Sequence, residues 1–81
     1  MDAKKMYYND VRRTTRNQPL HTLDNYDKIG RSGIEGAYHV DHIISKKFGF
    51  ENNIGVDIIG NIKNLRIIPW EENISKGERC I

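Results

Sequence analysis

Three side chains with the chemistry for phosphodiester hydrolysis lie in the second half of this 81-residue chain: Asp41, His42 and Asn73. An imidazole titrates near neutral pH, so His42 can take a proton from an attacking water. The carboxylate of Asp41 and the amide oxygen of Asn73 are hard ligands, and Mg²⁺ usually combines a few such ligands with several waters. The sequence therefore predicts a general base beside a magnesium site, with Mn²⁺ or another divalent ion as alternatives.

Two short apolar segments would position these side chains. Residues 37–43 and 65–68 have the composition and alternation of strands, and residues 45–62 between them are expected to be mostly irregular. Neighbouring side chains on a regular strand point to opposite faces. The first strand is therefore expected to end or bend at the Asp41–His42 pair, so that both side chains reach one site.

The element after the second strand is expected to be a helix. Pro69 suits its first turn, and Glu71 and Glu72 suit its positive N-terminal end. On such a helix Asn73 shares a face with the apolar Trp70, which is expected to pack inward and to carry Asn73 with it. The helix would thereby bring the second metal ligand towards the strand that holds the first.

The first part of the chain is basic and helical. A helix is predicted over residues 3–17 and a second, short one over 22–29. Residues 1–33 contain seven Lys or Arg against four Asp, whereas residues 34–81 contain six against seven acidic residues. A basic helix face is a plausible surface for phosphates, with an ordinary solvated face as the alternative. The residues on that face are Lys5, Arg12 and Arg16.

In order along the chain, these features resemble the HNH endonuclease motif of the ββα-metal (His-Me finger) superfamily. The segments that carry the resemblance are Val40-Asp41-His42-Ile43-Ile44, Asn64-Leu65, and Asn73 followed by Lys76. It covers about residues 38–77, and small phage-encoded HNH nucleases are the most similar in style. The resemblance implies an α+β fold, in which a strand, a long loop, a strand and a helix follow one or two N-terminal helices. The length of the chain predicts a single domain over residues 1–81, with a basic helical part over 1–36 and a ββα-metal core over 37–79.

The resemblance assigns roles to individual residues. Asp41 and Asn73 match the metal ligands of the family, and His42 matches its general base. Asn64 matches the central asparagine, which fixes the loop through side-chain-to-backbone hydrogen bonds and so positions the base. The implied reaction is one-metal hydrolysis of DNA that leaves 5′-phosphate and 3′-hydroxyl ends. Candidate phosphate contacts are Lys76 and Arg79, together with Lys5, Arg12, Arg16 and Arg31 from the basic part.

His39 has several interpretations. It lies two residues before Asp41 and therefore on the same face of the predicted strand. An additional metal ligand, a phosphate contact and a stacked surface histidine are all compatible with that position.

The chain departs from many HNH relatives in its lack of cysteine pairs. Those relatives carry two Cys-x-x-Cys pairs for a structural zinc, whereas the matching positions here are Pro69 and Glu72, and Cys80 is the only cysteine. No structural zinc on cysteines is therefore expected. The side chains expected to replace it by packing are Phe48, Ile67, Ile68 and Trp70.

Composition restricts location and partners. No apolar stretch approaches the roughly 20 residues that span a bilayer, and the N-terminus lacks a signal-peptide core. We expect a cytoplasmic protein, from a bacterial host or phage-encoded, that binds DNA and no membrane as a monomer, a weak homodimer or a part of a larger complex. Two alternatives stay open: a DNA-binding module that keeps the ββα frame without catalysis, and a small interaction protein that docks through its N-terminal helix.

Overall fold

The fold is organised around two antiparallel strands, β1 (Tyr38–His42) and β2 (Leu65–Pro69). A computed structural model describes residues 2–30 and 36–72 of the chain. Three α-helices accompany the strands within these ranges, and residues 70–72 are also helical. The helices are α1 (Ala3–Arg16), α2 (Lys46–Glu51) and α3 (Val56–Ile59). The described part of the chain is thus a small compact α+β structure, which confirms the predicted fold class at this level.

Helix α1 begins and ends close to the predicted bounds. The side chain of Asp2 caps it by accepting a hydrogen bond from the Lys5 N–H at 2.8 Å. Val11 is fully buried on its inner side and Thr15 is 8% exposed. The helix therefore packs against the rest of the domain along its C-terminal half.

The predicted second helix over residues 22–29 is wrong. Two 3₁₀ turns, Leu20–Thr22 and Tyr26–Lys28, occupy this region instead. Asn25 between them has a left-handed backbone with φ of 69°, which interrupts any continuous helix. Ile29 then forms a parallel bridge to Tyr38, so this segment continues along the start of β1.

The segment between the strands is more helical than predicted. Ser45 caps α2 through a hydrogen bond from the Phe48 N–H to its hydroxyl at 3.1 Å. A Cβ added at Gly49 would lie 2.7 Å from Cγ1 of Ile59, so this glycine permits the close approach of α2 and α3. Gly49 is therefore a close-packing position inside a helix and does not break it.

The strands pair in one continuous register from Tyr38 opposite Pro69 to His42 opposite Leu65. A backbone hydrogen bond from the Trp70 N–H to the Ala37 carbonyl, 3.0 Å long, continues this pairing beyond β2. The buried apolar residues of the described ranges are Val11, Ala37, Ile59, Leu65, Ile67 and Ile68.

The side chains expected to replace the zinc site are only partly buried. Burial of Ile67 and Ile68 confirms that expectation for β2, and Trp70 is half-buried. Phe48 is 45% exposed, so its predicted place in the core is wrong. It lies on α2, whose buried residue is Gly49.

None of the helices within residues 2–30 and 36–72 is long and apolar enough to cross a membrane.

Candidate active site

The Asp41–His42 pair lies at the end of β1. The strand ends at His42, but both residues are still paired with β2, Asp41 opposite Arg66 and His42 opposite Leu65. A bond from the Ile43 N–H to the Asn64 carbonyl, 2.8 Å long, continues the pairing by one step. Because strand neighbours alternate, this pairing places Asp41 and His42 on opposite faces of the sheet. The strand ends at this pair, as predicted, but it does not bend within it. The regular pairing therefore does not turn both side chains towards one site, contrary to the expectation from the sequence.

The side chain of Asn64 joins the end of β1 to the segment between the strands. Its Oδ1 accepts a hydrogen bond from the Ile44 N–H at 2.8 Å, and its Nδ2 donates to the Ile44 carbonyl at 3.1 Å. The same Nδ2 donates to the Ile59 carbonyl at 2.7 Å. Asn64 is buried, so these bonds satisfy backbone groups that have little access to water. The arrangement fixes the backbone two residues after His42.

A helix outside the strand pair contacts the imidazole of His42. Oγ1 of Thr15, on the last turn of α1, lies 3.0 Å from Nε2 of His42. The Thr15 hydroxyl also donates to the carbonyl of Val11 at 2.8 Å. His42 itself is half-buried, so its ring combines a fixed position with partial access to solvent.

Asp41 is engaged in an ion pair with Arg66, its cross-strand neighbour. Nε of Arg66 lies 2.9 Å from Oδ2 of Asp41, whose side chain is 4% exposed against 32% for Arg66. A pair of this kind is costly to break from one side, because the remaining charge stays buried. Asp41 therefore has a clear structural role within the sheet.

One of the two predicted metal ligands lies within the described residues. Asp41 lies within the described ranges and Asn73 lies outside them, as do Arg31, Lys76 and Arg79. No group of three or more His, Cys, Asp or Glu side chains suited to a metal occurs among residues 2–30 and 36–72. His39 is half-buried opposite Ile68, and alternation places it on the Asp41 face of β1.

The predicted phosphate contacts on α1 are exposed. Lys5, Arg12 and Arg16 all present their side chains to solvent. Lys5 and Arg12 border a shallow hollow together with Tyr8. The ammonium groups of Lys4 and Lys46 lie 5.5 Å and 5.1 Å from the centre of the Tyr8 ring. This cluster of cations around an aromatic ring is a surface that suits phosphates.

Sequence reasoning missed the roles of Thr15 and Arg66. Thr15 contacts a residue 27 positions away, and nothing in the local sequence signals that contact. Arg66 faces Asp41 across the strands, and this opposition becomes visible once the register is known.

Comparison of the chain with models of known protein families, with curated proteins and with solved structures found no match.

Proposed function

We propose that this chain is an HNH-type endonuclease that hydrolyses phosphodiester bonds in DNA with one divalent metal ion, most simply Mg²⁺. The observation that carries the proposal is the pair of hydrogen bonds between the Asn64 side chain and the backbone of Ile44, two residues after His42. An asparagine that fixes the end of a strand beside a histidine is the relation that the sequence motif implies. Its function would be to hold the imidazole in a constant position relative to the phosphate.

His42 is the proposed general base. Its half-buried ring can accept a proton from a water molecule. Because its backbone is fixed, the imidazole keeps a constant orientation when a substrate is bound. The contact with Thr15 restricts the ring further. His42 is thus held through its main chain by Asn64 and through its side chain by α1.

The residues proposed to hold the metal are Asp41 and Asn73. A carboxylate offers two oxygens with several acceptor sites, and it is a hard ligand, so the donor chemistry of Asp41 fits a hard cation such as Mg²⁺. When bound, the ion would neutralise charge on the phosphate and on the leaving oxygen. Because Asp41 and His42 lie on opposite faces of the sheet, the ion and the base would have to reach one phosphate around the end of β1. Arg66 orients the carboxylate of Asp41, and its positive charge weakens the attraction of that carboxylate for a cation.

DNA is the proposed substrate because α1 carries exposed cations and also contacts the candidate base. Arg12 and Arg16 lie on the same last turns of the helix as Thr15, which contacts His42. Each phosphate that such side chains neutralise contributes to affinity and to its dependence on salt. The same helix can therefore bind the DNA backbone and support the base. A DNA substrate in a bacterial host or its phage also implies a cytoplasmic location.

One observation favours a second function, a DNA-binding module without catalysis. Asp41 is buried and bound to Arg66, which is a complete structural explanation for this carboxylate without any metal. In that case the α1 cations would still bind DNA, and binding would be independent of divalent ions. Metal dependence therefore separates the two functions.

The decisive comparison uses supercoiled plasmid with Mg²⁺ or with EDTA. We expect the parent protein to nick plasmid in Mg²⁺ alone, and His42→Ala to be slower by about 10²–10⁴-fold, the usual contribution of a general base. His21→Ala is the matched control, because His21 is exposed on the turn Leu20–Thr22 and remote in sequence from the site. Equal rates for the parent and His42→Ala would refute the assignment of the base. DNA binding without cleavage in any divalent metal would favour the second function.

A further inference from the structure

The hydroxyl of Thr15 has two hydrogen-bonding neighbours and one proton to share between them. The Val11 carbonyl lies 2.8 Å from Oγ1, and Nε2 of His42 lies 3.0 Å from it. We assign the proton of the hydroxyl to the Val11 carbonyl, because that oxygen can only accept and lies closer to Oγ1 than Nε2 does. The contact with His42 is then a hydrogen bond in which Nε2–H donates and the hydroxyl oxygen accepts.

This assignment determines which ring nitrogen carries the proton. A neutral imidazole has one N–H and one nitrogen with a lone pair, and the partner of one nitrogen selects the tautomer. With Nε2 protonated, the lone pair belongs to Nδ1. A histidine that must accept a proton from water has to do so through that atom.

We infer that Thr15 is a positioning residue for His42: its hydroxyl selects the Nε2–H tautomer and makes α1 a part of the active centre. The role in cleavage rests on the proposed function, whereas the hydrogen bond and the tautomer do not. Thr15 would act through His42 and would not touch the DNA or the metal. The strand–strand–helix motif alone would then be insufficient for full activity, because α1 lies outside it.

Other contacts hold α1 in the position that this role requires. The Tyr7 hydroxyl donates to the Ile54 carbonyl at 2.6 Å, and the Gln18 side chain accepts from the Ile62 N–H at 3.0 Å. Both partners lie in the segment that Asn64 joins to the end of β1. Thr15 and His42 are therefore both held against the same segment. The distance between them depends on these bonds as well as on their own hydrogen bond.

Three variants separate this role from a general effect on the helix. Thr15→Val keeps the shape of the side chain and removes the hydroxyl, whereas Thr15→Ser keeps the hydroxyl. Thr14→Val is the matched control, because the Thr14 hydroxyl makes the same kind of bond within the helix, to the Asp10 carbonyl at 2.9 Å. We expect Thr15→Val to lower kcat by about 10- to 100-fold, as loss of a partner that orients a reactive histidine commonly does. KM for DNA should stay unchanged, and the other two variants should retain most of kcat.

The tautomer is measured independently of cleavage, by two-bond ¹H–¹⁵N correlation spectra of the His42 ring without metal, at a pH where the imidazole is neutral. We expect Nε2 to be protonated in the parent, Thr14→Val and Thr15→Ser, and the Nδ1–H tautomer to gain population in Thr15→Val. A parent with Nδ1 protonated overturns the inference, and so does Thr15→Val with the parent's tautomer and kcat. If Thr15→Val does not fold, the tautomer seen in the parent spectrum, together with the tautomer and kcat of Thr15→Ser, tests the inference. If the parent shows the Nε2–H tautomer but no cleavage, the proposed function fails while the hydrogen bond is supported.

Discussion

Replacing Asn64 tests the framework around the candidate base most directly, because its side chain makes three hydrogen bonds to backbone groups from a buried position. Asn64→Ala removes all three. At about 1 kcal/mol of net stability for each bond, the expected loss is about 3 kcal/mol. A domain of this length has a total stability of about 4–12 kcal/mol, so the variant should remain folded with Tm lower by about 12–24 °C.

Asn64→Asp separates hydrogen bonding from side-chain volume. It has the same shape and keeps the acceptor for the Ile44 N–H, but it places an oxygen against the Ile59 carbonyl, where Nδ2 now donates at 2.7 Å. Two acceptors cannot bond, so a carboxylate there is repelled. We expect Asn64→Asp to be at least as destabilising as Asn64→Ala at pH 7. Protonation of the carboxylate introduced by this substitution would restore one donor. The loss of stability of Asn64→Asp relative to the parent should therefore be smaller near pH 4 than at pH 7.

Urea unfolding followed by circular dichroism measures both losses. Asn52→Ala is the control, because Asn52 is exposed and makes a single bond, from its Nδ2 to the Phe48 carbonyl at 2.9 Å. It should cost less than about 1 kcal/mol. A loss below about 1 kcal/mol for Asn64→Ala, or parent-like stability for Asn64→Asp, would refute the role given to these bonds.

Three further substitutions test the packing around the site. Gly49→Ala should destabilise by about 1–3 kcal/mol in urea unfolding despite the better helix propensity of alanine, because the added Cβ would lie 2.7 Å from a side-chain carbon of α3. Tyr7→Phe should cost about 0.5–1.5 kcal/mol by losing the bond to the Ile54 carbonyl. Burial raises the pKa of the Tyr7 phenol above its ordinary value of 10.0. The parent should therefore lose stability as the pH rises from 10 through the pKa of the folded state. Urea unfolding at alkaline pH should show no such loss for Tyr7→Phe. Arg66→Met should cost about 2 kcal/mol by leaving Asp41 buried without its ion-pair partner, and adding Asp41→Leu should recover most of that loss in a double-mutant cycle.

The strands and α1 could be predicted from sequence because their signals are local. Alternating apolar residues indicated β1 and β2 within one residue at either end, and Asp2 at the start of α1 is a direct capping signal. The bonds made by the Asn64 side chain also agree with the fixing role that the motif implied. These features depend on residues that are close in sequence or that belong to one short motif.

Features that depend on long-range packing could not be predicted in this way. The sequence between the strands predicts mostly irregular structure with a helical turn over residues 45–50, where α2 indeed lies. Helix α3 is not predicted, and both helices pack on each other and on α1. Short helices are unstable alone and gain their stability from such contacts, so propensity is a weak guide to them. The contact of Thr15 with His42 and the pairing of Arg66 with Asp41 likewise require the tertiary fold before they become visible.

The central claim is that this chain cleaves DNA by metal-dependent hydrolysis with His42 as base. Its most direct test is the conversion of supercoiled plasmid to the nicked form by the parent in Mg²⁺, followed by treatment of the product with DNA ligase. We predict nicking that EDTA abolishes and that His42→Ala slows by about 10²–10⁴-fold, and nicks that ligase reseals because they carry 5′-phosphate and 3′-hydroxyl ends. Nicking at the parent's rate in His42→Ala, or plasmid that stays supercoiled with the parent in every divalent metal, would contradict the claim.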